Sequence, residues 1–266
     1  MNNFSQADTC CYCGAALDRK YCFCRNCGEQ YKDEDTGIYG PVIPKVPSLE
    51  RRVLMQAGSS VTLFCLLGVG LIGLSLLGMA IFGEKRIGVV FYIEMAFIAG
   101  TTLAFWALYR KDISFLFKRS GLDNRYFLSS LPILAVLLVL NIAYFALATK
   151  LLGVERHDFL ETFKSETGFS NLEIILIISI FPAIFEETAF RGFIQQWLMR
   201  SMLPWKAIAG SALLFMLLHF NLIGVPYLFL LGLFLGWVRA RTQSLYPVMI
   251  LHFLHNFAVT QIEWTI

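Results

Sequence analysis

Apolar residues dominate the chain from position 61 to position 262, where long hydrophobic runs alternate with short polar connections. A helix needs about 20 mostly apolar residues to cross the hydrocarbon core of a membrane. The runs that approach or exceed this length are 61–82, 88–109, 127–149, 171–199, 206–220, 224–238 and 245–262. The last three are short, so their ends stay open and the count can differ by one. The pattern predicts an all-α polytopic membrane helix bundle of about seven spans.

The composition supports a membrane protein. Hydrophobic residues make up 57% of the 266 positions and charged residues 15%, whereas soluble globular domains have about 45–50% and about 25%. These values exclude an ordinary soluble enzyme and a disordered chain. The net charge of +3 is too small to indicate a nucleic-acid partner. We therefore expect membrane lipid, and no nucleic acid, around this chain.

Six of the seven cysteines lie close to the amino terminus, between positions 10 and 27. Cys10 with Cys13, and Cys24 with Cys27, form two C-x-x-C pairs, each followed by a glycine. Four thiolates suit tetrahedral zinc, and a closed site with four protein ligands has no open position for catalysis. The spacing predicts a small zinc ribbon over residues 1–30, with structural zinc only.

Two other arrangements of these cysteines stay open. The two pairs are ten residues apart, which is fewer than the roughly 15–20 usual for such sites. Cys11 and Cys22 could form a disulfide in an oxidising compartment. Alternatively, Cys11 and Cys13 could bind the metal together with Cys22 and Cys24. Either arrangement changes the ligand set but not the location of the module.

The composition also divides the chain into segments. Residues 1–30 lack the basic start and apolar core of a signal peptide. Residues 31–52 are polar and rich in proline, which is typical of a linker. Beyond the linker we expect amino-terminal transmembrane helices over 53–170 and a second transmembrane unit over 171–266.

Basic residues are concentrated on one side of the predicted topology. Lys45, Arg51 and Arg52 precede the first span, and the loop 110–126 carries five more lysines and arginines. Because such residues mark the cytoplasmic side, the amino terminus is predicted to face the cytoplasm and, with seven spans, the carboxyl terminus the outside. A reducing cytoplasm agrees with zinc-bound thiolates. We expect an integral protein of a bacterial cytoplasmic membrane.

Three groups of polar residues interrupt the predicted spans of the last third. An ionisable side chain at mid-membrane costs at least about 2.5–3.5 kcal/mol, so each one is a candidate for function. The groups are Glu186, Glu187 and Arg191; Phe215 and His219; and His252, His255 and Asn256. Their occurrence on successive spans indicates one polar site inside the bundle.

The spacing within the groups favours such a site. Glu187 and Arg191 are four residues apart and can pair on one helix face, whereas Glu186 lies one step round the helix. His252 and Asn256 are also four residues apart. At 1.5 Å per residue the groups lie roughly 16–20 Å from the ends of their spans. All of them can therefore meet in the middle of the bundle.

The residue types indicate hydrolysis. A glutamate and a histidine can hold and deprotonate a water, and histidine and asparagine side chains can donate to an oxyanion. Pro182 removes a backbone hydrogen bond just before the carboxylates and can open the helix to water. No serine or cysteine nucleophile accompanies them, since Cys65 is distant in sequence.

A metal is the competing explanation, with a glutamate as the base, as in soluble zinc proteases. Its candidate ligands are Glu186, Glu187, His219 and His252.

The ordered motifs E-E-x-x-x-R, F-x-x-x-H and H-x-x-x-N resemble the CPBP family, which comprises type II CAAX prenyl proteases and bacteriocin-processing Abi-type intramembrane proteases. The resemblance covers roughly residues 171–262. It implies an all-helical bundle with endopeptidase activity toward a membrane protein or peptide, without a catalytic metal. By this resemblance, 171–266 is the catalytic core.

The resemblance also implies a role for most of the polar residues. Glu186 and His219 would activate the water, and His252 and Asn256 would form the oxyanion hole. Glu187 and Arg191 would orient and stabilise the site. His255 receives no role from the motif.

Other interpretations of the same residues stay open. Glu187 and Arg191 could form only a structural ion pair, and His219 alone could be a hydrogen-bonded core histidine. The chain could then be a membrane scaffold or a bacteriocin-immunity protein that binds a partner without catalysis. The zinc ribbon could bind a cytoplasmic partner or the soluble part of a substrate.

Overall fold

The computed structural model describes the ranges 47–83, 86–122, 125–152 and 159–265. The predicted zinc ribbon, with its four cysteine ligands, and most of the linker lie outside these ranges. The zinc site and its alternatives therefore stay predictions.

Every element in the described ranges is helical, and these ranges contain no strand. In chain order the helices are α1 (Pro47–Phe82), α2 (Ile87–Ile113), α3 (Arg125–Leu152), α4 (Phe159–Thr167), α5 (Asn171–Met199), α6 (Pro204–Leu218), α7 (Val225–Thr242) and α8 (Tyr246–Thr265). α1 begins inside the segment predicted as a linker. The short helix α4 lies in the charged connection that precedes α5.

The seven long helices coincide with the seven predicted apolar runs. Within the described ranges, three segments are long and apolar enough to cross a membrane, namely Gly58–Phe82, Ile87–Leu116 and Arg125–Leu152. Pro204–Leu218 is apolar but shorter. The all-α membrane architecture is thus confirmed, while the number of seven spans stays a prediction.

Helix α5 carries the first polar group and alternates between α and π geometry. Its start is set by Ser170, whose hydroxyl accepts from the Glu173 amide while the Glu173 carboxylate accepts from the Ser170 amide. The π-helical turns are Leu176–Ile180 and Thr188–Ile194. π turns inside α-helices are frequent at functional sites, and here they flank the short α segment that contains both glutamates.

Helices α6 and α7 pack closely against each other. A Cβ atom added to Gly232 would lie 2.9 Å from the Cβ atom of Ala212. Gly236, one turn further along α7, faces Ile208 and Gln195. Without a hydrophobic driving force between helices in lipid, small residues at this spacing allow backbones to approach and pack.

An anchor at one end of α5 ties it to α2. The Asp112 carboxylate accepts from the Trp197 indole at 3.2 Å and pairs with Arg200 at 2.9 Å. α1 and α2 also pack along α5. These contacts fix the helix that carries Glu186 against the helices that supply the opposite wall of the site.

Replacing Gly232 by alanine is expected to destabilise the protein by about 1–3 kcal/mol, because the new methyl group overpacks the contact with Ala212. The thermal unfolding midpoint in detergent should fall. Gly100→Ala is the matched control, since nothing lies within 4 Å of its added Cβ atom. Equal shifts for both variants would contradict this account of the α6 and α7 contact.

Candidate active site

A buried charge cluster joins α5 to α8. One carboxylate oxygen of Glu187, Oε1, accepts from Arg191 Nη1 at 2.8 Å and lies 2.6 Å from His252 Nδ1. Glu187 and Arg191 are completely buried and His252 is almost so. Arg191 also donates to the carbonyl of Gly232 at 3.4 Å. The pair predicted from the four-residue spacing is therefore present, and it holds His252 by the Nδ1 side of its ring.

Glu186 and His219 line a common cavity of about 70 Å³. Its other lining residues are Leu67, Leu71, Ile98, Ala189, Phe190 and Leu218. Because one water needs about 10–15 Å³ of such volume, the cavity can hold more than one water. The wall is otherwise apolar, so the carboxylate and the imidazole are its titratable groups.

The two polar groups of this cavity differ in their hydrogen bonds. Glu186 Oε2 is buried and has no hydrogen-bond partner among the described residues. His219 Nδ1 lies 2.8 Å from the carbonyl oxygen of Phe215. A carbonyl can only accept, so Nδ1 carries a proton and Nε2 of the neutral ring is left as an acceptor. The carboxylate oxygen and this ring nitrogen can both take a proton from a water.

His219 lies just beyond the end of a helix, within the predicted span 206–220, whose ends the sequence leaves open. α6 ends at Leu218, and His219 forms its carboxyl-terminal cap, followed by Phe220 with a φ of +47°. The left-handed backbone at Phe220 turns the chain away from the helix axis. His219 is exposed as a result, so the cavity borders the protein surface.

The ring of Phe215 connects the cavity to the charge cluster. Its centroid lies 4.6 Å from that of His219 and 6.0 Å from that of His252. The guanidinium carbon of Arg191 lies 4.2 Å from the same centroid, a distance at which a cation is attracted to an aromatic face. Phe215 therefore separates the two polar groups by one ring and fixes their relative positions.

Asn256 makes a different set of contacts. Its Nδ2 donates to the carbonyl of Ile178 at 2.9 Å, and its Oδ1 lies 2.9 Å from His255 Nδ1. Pro182 has no N–H with which to meet the Ile178 carbonyl four residues earlier. The side chain of Asn256 therefore supplies a donor to a carbonyl that the proline leaves without its usual helical partner.

Of the predicted site residues, the structure brings Glu186 to His219 and Glu187 to Arg191 and His252. Neither His252 nor Asn256 is among the residues that line the cavity. Sequence reasoning missed Tyr227, which contacts His255, and Ile178. Pro182 could have indicated Ile178, because a proline leaves the carbonyl four residues earlier without its helical donor. No spacing in the sequence pairs Tyr227 with α8.

The ligands of the metal alternative are not arranged as a metal site. Within the ranges that the structure describes, no three His, Cys, Asp or Glu side chains are grouped so that they could hold a metal ion. Glu187 Oε1 is already bound by Arg191 and faces His252.

Comparison with known proteins identifies the segment that contains this site. Residues 168–258 match the family model described as type II CAAX prenyl endopeptidase Rce1-like. Neither the curated proteins nor the solved structures gave a match. The matched segment includes α5, α6, α7 and most of α8, with all the polar groups described above. Residues 168–258 are thus similar to the Rce1-like type II CAAX prenyl endopeptidases, which are membrane proteases.

Proposed function

We propose that the protein is an intramembrane endopeptidase that hydrolyses peptide bonds of membrane-associated proteins or peptides with a water activated by Glu186 and His219. The observation that supports it is their shared cavity of about 70 Å³ in an otherwise apolar wall. Such a water requires two groups: the buried Glu186 oxygen, which has no partner in the described ranges, and the acceptor nitrogen of His219.

The reaction proceeds by general base catalysis. Glu186 takes a proton from the water as the water oxygen bonds to the scissile carbonyl carbon, and the carbonyl oxygen becomes an oxyanion. Glu186 returns this proton to the amide nitrogen, the carbon–nitrogen bond breaks, and a new amino terminus and a new carboxyl terminus result. His219 orients the water through Nε2.

His252 and Asn256 are the proposed donors to the oxyanion. The Nδ1 atom of His252 is directed to Glu187, so an oxyanion can be met only by Nε2–H. His252 can donate in this way when both ring nitrogens are protonated. In this proposal the Glu187 carboxylate stabilises that charged ring, and Arg191 fixes the carboxylate.

The zinc ribbon is proposed to be structural. Cys10, Cys13, Cys24 and Cys27 would hold one zinc ion on the cytoplasmic side, where the ribbon could bind a cytoplasmic partner or the soluble part of a substrate. No step of the hydrolysis requires this metal, and no catalytic metal is proposed.

The metal-free mechanism predicts that hydrolysis survives when the ribbon cannot bind zinc. The substrate pool is the membrane-protein fraction of cells that carry the Glu186→Gln variant. This variant lacks the proposed base, so we expect the substrates in these cells to be uncleaved. A purified Cys10→Ser, Cys13→Ser double variant, treated with a chelator and found free of metal, should still generate new amino termini from this pool within about threefold of the wild-type rate. Activity that disappears with the chelator and returns with added zinc would instead support the metal alternative.

A further inference from the structure

His255 and Tyr227 form a buried hydrogen-bond chain that ends at the proposed oxyanion donor. The hydroxyl of Tyr227 contacts His255 Nε2, and His255 Nδ1 lies 2.9 Å from Asn256 Oδ1. Both His255 and Tyr227 are 5% exposed, and their rings stack with centroids 5.6 Å apart. The role of His255 is not explained by the motif or by the cavity.

The hydrogen bonds run from Tyr227 through His255 and Asn256 to the Ile178 carbonyl, and this carbonyl determines the direction of all of them. The Ile178 carbonyl can only accept, so the amide nitrogen of Asn256 must face it and the amide oxygen must face His255. An amide oxygen also only accepts, which places a proton on His255 Nδ1. In the neutral ring Nε2 is then an acceptor, and the Tyr227 hydroxyl donates to it.

This polarity fixes the orientation of the Asn256 amide. Turning the amide by 180° would place its oxygen against the Ile178 carbonyl and its N–H groups against the His255 N–H, so both hydrogen bonds would be lost. Each buried donor or acceptor left unsatisfied in this way destabilises the turned amide. One Nδ2 proton is donated to Ile178, and the other has no acceptor within the described part of the chain.

We propose that His255, itself held by Tyr227, is a positioning residue that locks the Asn256 amide with one N–H available to the substrate oxyanion. The inference rests on the proposed endopeptidase function and deepens it. His255 acts through Asn256 and does not touch the substrate. A hydrogen bond accepted at Oδ1 also polarises the amide and makes the remaining N–H a better donor.

The test is a double-mutant cycle on the rate at which new amino termini appear in the substrate pool. Loss of one oxyanion donor lowers the rate about 100–1,000-fold, which is the expectation for Asn256→Ala. His255→Phe should lower it about 10-fold or more, since a small misplacement of a catalytic group is enough to do so. His255→Phe combined with Asn256→Ala should be no slower than Asn256→Ala alone.

Matched variants separate positioning from a general loss of structure. His255→Asn keeps a side-chain N–H at the bond position of Nδ1 and should recover most of the rate lost in His255→Phe. Tyr227→Phe removes only the hydroxyl and should slow the reaction by about threefold. Tyr246→Phe, near the start of the same α8, should leave the rate unchanged. A loss in the double variant equal to the product of the single losses would overturn the inference.

A spectroscopic measurement decides the tautomer without a substrate. In ¹⁵N-histidine-labelled protein in detergent micelles, the signal that disappears in His255→Phe should be that of a neutral ring protonated at Nδ1. A ring protonated at Nε2 would overturn the inference while leaving the proposed function intact. If Glu186→Gln instead cleaves as fast as the wild type, the proposed mechanism with Glu186 as the base fails, whatever the tautomer of His255.

Discussion

Replacing Glu186 by glutamine is expected to lower peptide-bond hydrolysis by at least about 1,000-fold, because glutamine has nearly the same shape but cannot take a proton from water. The stability of the folded protein should not decrease. Among the described residues, Glu186 has no ion-pair partner, and its Oε2 has no hydrogen-bond partner. Removing a charge from within a membrane protein relieves a cost of about 2.5–3.5 kcal/mol at mid-membrane. The thermal unfolding midpoint should therefore stay equal or rise.

This combination of lost activity and preserved stability distinguishes a catalytic carboxylate from a structural one. Glu166→Gln on α4 is the matched control, because Glu166 is exposed and distant in sequence from the polar motifs. It should cleave the substrate pool at the wild-type rate. If the Glu186→Gln variant retains full activity, the assignment of Glu186 as the base is wrong.

Replacing Arg191 by methionine should have the largest effect on stability. It leaves the fully buried Glu187 carboxylate with His252 as its remaining partner. Breaking a buried ion pair by removing one partner typically costs about 3–5 kcal/mol. The free energy of unfolding, measured by denaturant titration in detergent micelles, should fall by that amount. Catalysis should also be lost, because Arg191 no longer fixes the Glu187 carboxylate that contacts His252.

Two further variants show whether the loss comes from the stranded charge. Adding Glu187→Gln to Arg191→Met removes the carboxylate charge and should restore more than half of the lost stability. Arg200→Met breaks the ion pair with Asp112, in which the Arg200 side chain is 15% exposed and the Asp112 side chain 14%. Because this pair is partly solvated, Arg200→Met should lower the free energy of unfolding by less than Arg191→Met. An Arg191→Met variant no less stable than Arg200→Met would contradict the account of the charge cluster.

The sequence was sufficient to predict the helices, because long apolar runs have few alternatives to a helix in lipid. It also predicted the Glu187–Arg191 pair, since residues four apart share a helix face. The end of the predicted span 206–220 was left open, and the structure ends this helix at Leu218. Phe220 takes a left-handed backbone conformation, which ends α6 before His219 is reached.

The contacts between helices could not be predicted in the same way. Asn256 reaches Ile178 because a proline and a π turn alter α5, and Tyr227 reaches His255 because α7 and α8 pack in one particular register. Single-sequence spacing contains no information on that register. The close packing at Gly232, which brings its carbonyl to Arg191, likewise depends on a residue of another helix, Ala212.

The central claim, a membrane protease whose base is Glu186, is tested most directly by comparing the amino termini of all membrane proteins in cells. One culture carries the wild type and the other Glu186→Gln, at matched expression and with both proteins folded. We expect new termini only with the wild type, clustered near membrane segments, and these would identify the substrates as well. The same termini in both cultures, or none in either, would contradict the claim and favour a membrane scaffold or immunity protein that binds a partner without cleaving it.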